Sequence, residues 1–179
     1  MLPPGHIAAG FLTAKAFLHF AHPELTSQQQ NNLLWWGMFF GFAPDLDYFL
    51  AFAREKAFKI SDFEKNSHRR FLTHAPVLWL IAGLLIYFSA QSAFYKMFGL
   101  LVWLGSWSHF LLDSLEYGVM WLWPLSGKYY GLRKVPHVKI NEPNFFKFWW
   151  KFILLYFKSV SIYLEILIII VAIVVFTKY

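Results

Sequence analysis

Residues 75–95 run for 21 positions without one charged side chain, and this stretch limits what the chain around it can be. A spanning helix needs about 20 mostly apolar residues. Three more segments approach that standard. Residues 33–53 lack Lys and Arg but contain Pro44, Asp45 and Asp47, and 97–115 carry only His109 and Asp113 as ionisable groups. Residues 153–176 carry Lys158 and Glu165 and close on an unbroken apolar run. A fifth, weaker segment at 6–20 is interrupted by Lys15. The expected fold is all-α: a polytopic transmembrane helical bundle of four or five spans, one integral membrane domain over 1–179. The polar residues 27–32 are expected to form a turn.

Composition agrees. Hydrophobic residues are 58% of the 179 and charged residues 15%, against ~45–50% and ~25% in soluble chains. A sphere of this size cannot hide so much apolar surface, so most of it must face lipid. A free cytosolic enzyme, a disordered chain and a nucleic-acid-binding module are excluded. The net charge of +6 then reports topology and not a nucleic-acid footprint. The first residues lack a basic leader and a cleavage pattern, so this end is expected to stay in the mature protein.

Cation placement orients the segments. Residues 54–74 hold Arg54, Lys56, Lys59, Lys65, Arg69 and Arg70, and residues 117–151 hold Lys128, Arg133, Lys134, Lys139, Lys147 and Lys151. The opposite side would carry only Lys96 and Lys178. The positive-inside rule therefore puts loops 54–74 and 117–151 in the cytoplasm of a multi-pass inner-membrane protein. The rings and cations mixed through 145–151 suit an interfacial segment.

Within that frame the rare ionisable residues stand out. Three of the four Asp lie inside apolar segments, where a charge costs ~2.5–3.5 kcal/mol on insertion scales and marks function by default. His109 and Asp113 are spaced i, i+4 and share a helix face. Pro44 breaks its segment just before Asp45 and Asp47, so a fresh helix there would hold both carboxylates in its first turn. His68 and His74 flank residues 69–73, ahead of the next segment. With five spans, the first and third begin, and the second and fourth end, at the cytoplasmic face. His6, Asp45, Asp47, His74, His109 and Asp113 would then converge there. There is no Cys, so a metal site must use imidazoles and carboxylates, a set suited to zinc, manganese or iron and large enough for two ions. His19, His22 and His137 fit no pattern, and Glu165 is expected to pair with a neighbour.

These motifs carry a resemblance. His6-x3-Gly10, Pro44-Asp45-x-Asp47, His68-Arg69-x3-Thr73-His74 and Ser108-His109-x3-Asp113 resemble the YdjM-like, LexA-regulated family of predicted membrane-bound metal-dependent hydrolases. The match in order and spacing covers residues 6 to about 125. The same order is distantly similar to zinc phospholipase C and P1-type nucleases, all-α phosphoesterases with three zinc ions. This chain lacks their N-terminal Trp ligand and second His-x3-Asp/Glu pair, so one or two ions, zinc or manganese, are expected. The resemblance implies metal-assisted hydrolysis of a phosphoester in a lipid or lipid-linked substrate at the cytoplasmic interface. His6, Asp45, His68, His74, His109 and Asp113 would hold metal, with Asp47 a further ligand or the general base. Arg69 or Arg70 would grip phosphate oxygens. Membrane lipid would be both substrate and solvent. The rival expectations are a divalent-metal or proton transporter and a non-catalytic membrane protein.

Overall fold

Three of the described helix starts are marked by capping side chains. Thr26 and Gln29 form a reciprocal capping box, the Thr26 side chain accepting from the Gln29 N–H and the Gln29 side chain from the Thr26 N–H. Two of the N–H groups that a helix start leaves unpaired are thereby satisfied. Ser92 and Asn144 accept in the same way from Tyr95 and Lys147, and prolines open two other helices, where a missing N–H does no harm. The structure, a computed structural model, describes residues 1–47, 71–116, 118–132 and 144–178. It shows six α-helices among these: α1 Pro3–Ala21, α2 Ser27–Phe42, α3 Pro76–Ser89, α4 Ala93–Asp113, α5 Phe145–Tyr156 and α6 Val160–Thr177. No strand occurs among the described residues; Val119 and Tyr130 form an isolated antiparallel bridge.

Several boundaries differ from the sequence expectation. Residues 27–32 are not a turn but the opening of α2, because the capping box recruits them into the helix. The segment at 33–53 leaves the α-helix at Phe42 and continues as a 3-10 turn over Ala43–Leu46, since Pro44 cannot extend an α-helix. The segment at 153–176 divides into α5 and α6, where extended backbone at Ser159 follows Lys158. Residues 48–53 and most of loop 54–74, with His68, Arg69 and Arg70, lie outside the described residues.

By length and composition, one helix among the described residues, α6, can cross a membrane. Helix α3 is apolar but has 14 residues, about 21 Å at 1.5 Å per residue, short of a ~30 Å hydrocarbon core. Helix α4 has the length, with 21 residues, but carries Lys96, His109 and Asp113.

Helices α1, α2, α3 and α4 pack by close approach of small residues. A Cβ at Gly10 of α1 would lie 2.2 Å from the Gly37 carbonyl of α2, and one at Gly41 would lie 2.4 Å from the His6 carbonyl. Glycine here lets two antiparallel backbones touch, the packing that lipid-embedded helices use because lipid supplies no hydrophobic drive between them. Gly83 and Gly99 join α3 to α4 likewise. A buried cluster of Ala14, Leu18, Leu33 and Leu101 ties α1, α2 and α4. Ala8, Phe11 and Ala172 seat α6 on α1. This packing brings the start of α1, the end of α2, the start of α3 and the end of α4 to one end of the bundle.

Candidate metal centre

Four local structures deliver the side chains. His6 lies one turn into α1, and His109 and Asp113 lie on one face of the last turns of α4. The 3-10 turn after α2 presents Asp45, with Asp47 directly following. A second short 3-10 turn, Leu72–His74, presents His74 ahead of Pro76. His6, Asp47, His74, His109 and Asp113 are each 1% exposed or less.

Two groups of ligand atoms result, and they share one residue. His6, His109 and Asp113 form the first, and Asp45, His74 and His109 the second, the atoms of each lying within 4.8 Å of one another. His6 Nε2 is 3.5 Å from Asp113 Oδ1, and His109 Nε2 is 3.7 Å from Asp113 Oδ2 and 3.6 Å from Asp45 Oδ1. His74 Nε2 is also 3.6 Å from Asp45 Oδ1. These spacings are too long for hydrogen bonds. They match the roughly 3.3–3.6 Å edge of a tetrahedron whose ligands lie ~2.0–2.2 Å from a central zinc.

On His109 and His74 the far nitrogens are already committed. His109 Nδ1 donates to the Gly41 carbonyl at 3.0 Å, which leaves Nε2 as the lone-pair nitrogen. His74 Nδ1 lies 2.7 Å from Asp47 Oδ2, a carboxylate–imidazole pair of the kind that orients metal-binding histidines. The Thr73 hydroxyl donates to the same oxygen, and Trp79 Nε1 donates to the Thr73 carbonyl at 2.7 Å. Asp47 therefore stands behind His74 and belongs to neither ligand group. His6 stacks on His109, ring centroids 3.8 Å apart at 23°.

Two observations favour a cation here. His6 Nε2 and His109 Nε2 are buried with no hydrogen-bond partner among the described residues, and an orphaned buried polar atom costs ~1–3 kcal/mol. Coordination would remove that cost. Negative charge also gathers at His74: burial alone disfavours a charged ring, but Asp45 3.6 Å from its Nε2 and Asp47 hydrogen-bonded to its Nδ1 outweigh it and raise its pKa to about 9.

The structure thus brings together His6, Asp45, His74, His109 and Asp113, with Asp47 in support. His68, Arg69 and Arg70 lie outside the described residues. Sequence reasoning missed the Gly41 carbonyl, whose only signal was the Gly37-x3-Gly41 spacing. It also left without a role Glu165, which accepts from the Leu2 and Gly5 N–H groups.

Neither a curated protein nor a solved structure matches the chain. A comparison with known families does, matching residues 1–179 to the family described as YdjM inner membrane protein. Over its whole length, then, the chain belongs to the YdjM family of inner membrane proteins.

Proposed function

We propose that this protein is a membrane-bound, metal-dependent hydrolase acting on a phosphoester of a lipid or lipid-linked substrate at the cytoplasmic interface. The observation that carries the reading is the pair of His/Asp groups meeting at His109, with buried Nε2 atoms at coordination spacing. Their place at one end of the bundle suits a site open to headgroups, whereas a transporter needs its ligands near mid-membrane with access to both faces. The membrane reading extends to α1, α2, α3, α4 and α6 as a multi-pass domain. Glycine-mediated packing supports it, as do the exposed apolar residues Trp35, Ile81, Leu85, Phe88 and Leu167, which need lipid around them.

His6, Asp45, His74, His109 and Asp113 would hold the ion. A neutral imidazole nitrogen has one lone pair, and His109 Nδ1 is occupied by Gly41, so His109 serves one ion at a time. The two groups therefore cannot both be completed by His109 at once. When bound, a divalent ion supplies Lewis acidity toward a phosphoryl group and toward water. Asp47 acts by holding the His74 ring. Arg69 and Arg70 supply planar forks for phosphate oxygens.

The test is phosphate release by purified protein from acyl- or prenyl-linked phosphoesters and from their water-soluble headgroup analogues. Preference for the lipid forms, loss with EDTA and recovery with zinc or manganese are expected. Turnover unaffected by chelation would sink the reading, and metal flux in liposomes without turnover would make the protein a transporter.

A further inference from the structure

Helix α6 places a carboxylate where an apolar side chain would be cheapest. Glu165 is 3% exposed and lies within the most apolar helix among the described residues, where a charge needs a reason. Its backbone partners are at the beginning of α1. Oε2 accepts from the Leu2 N–H at 3.2 Å, Oε1 accepts from the Gly5 N–H at 3.2 Å, and the Tyr156 hydroxyl donates to Oε2. Leu2 is the residue before α1 and has no side chain able to cap it. A helix start leaves N–H groups unpaired and attracts negative charge, so a side chain 163 residues away fills a capping position that the local sequence leaves open. Gly5 makes this possible, because a Cβ there would lie 2.7 Å from Glu165 Cγ. The residue after Gly5 is His6.

We propose that Glu165 is a positioning residue of the metal centre: it locks the first turn of α1 and so holds His6 Nε2 against Asp113 and His109. The proposal rests on the reading of the cluster as a metal centre. It differs from simple anchoring of α6, which would stabilise the protein without touching coordination.

The experiment titrates the full-length protein in lipid nanodiscs with Co(II), reading affinity and the visible absorption of the bound ion. Glu165→Leu is expected to weaken binding by about 10- to 100-fold, the usual effect of removing support behind a ligand, and to change the absorption bands. Glu165→Gln, whose single amide oxygen can replace only one of the two accepting carboxylate oxygens, is expected to fall between the wild type and Glu165→Leu. In a His6→Ala background, Glu165→Leu should cause no further loss, because two changes acting through one ligand are not additive. Wild-type affinity and spectrum in Glu165→Leu, or an equal loss with and without His6, would overturn the proposal. If Glu165→Leu does not fold, Glu165→Asp, which withdraws the carboxylate by one methylene, carries the same comparison in both backgrounds. Absence of Co(II) binding by the wild-type chain would overturn the metal-centre reading, and this proposal with it. Failure of the proposal alone leaves wild-type binding intact.

Discussion

His109 faces His6 ring to ring at 3.8 Å, and each keeps its Nε2 buried and without a hydrogen-bond partner among the described residues. Side by side, neither ring satisfies the other, since a neutral imidazole donates and accepts in its plane. A divalent cation bound by the cluster would remove both penalties.

Metal content is the first consequence. The purified protein should carry close to one zinc or manganese ion per chain by elemental analysis. His109→Ala, which removes the ligand common to both groups, should lose it, while His6→Ala and His74→Ala should weaken retention. Wild-type metal content retained in His109→Ala would refute the shared-ligand arrangement.

The two carboxylates beside Pro44 should separate by role. Asp45→Asn removes a ligand charge and should abolish activity, by about 100-fold or more if the interaction is worth several kcal/mol. Asp47→Asn leaves every ligand in place but weakens the grip on His74 Nδ1, so metal affinity should fall by about 10- to 100-fold. Turnover assays measure the first and competition against a chelator the second, and equal losses of activity and affinity in the two variants would remove the distinction.

Close backbone packing predicts a site-specific cost. Gly10→Ala forces a methyl to 2.2 Å from the Gly37 carbonyl, and overpacking of this kind costs about 1–3 kcal/mol. Gly127→Ala meets nothing within 4 Å and is the control. Thermal unfolding in detergent should show a lowered Tm for the first and none for the second.

The placement of cations predicts the orientation. Reporters fused after Lys65 or Lys139 should be active only as cytoplasmic reporters. A periplasmic signal at either position would invert the bundle and move the site to the outer face.

Much of this was legible in residue order. Apolar length, scarce charge and the His and Asp spacings announced a helical membrane chain. Alternating helix direction was enough to collect His6, Asp45, His74, His109 and Asp113 at one end. Boundaries were less legible. The opening of α2 depends on a capping box within a segment polar enough to read as a turn, and the division between α5 and α6 depends on extended backbone at Ser159 inside an apolar run.

What the sequence determined alone, then, was which side chains are available and which end of the bundle they reach, because periodicity and hydropathy are local properties. Tertiary structure decided what each one does. Asp47 turns to His74 Nδ1, His109 Nδ1 to the Gly41 carbonyl, and Glu165 to the Leu2 and Gly5 N–H groups. Each choice depends on a partner 27 to 163 residues distant. A hydrogen bond is set by direction and a few tenths of an ångström, and only the packed helices fix either.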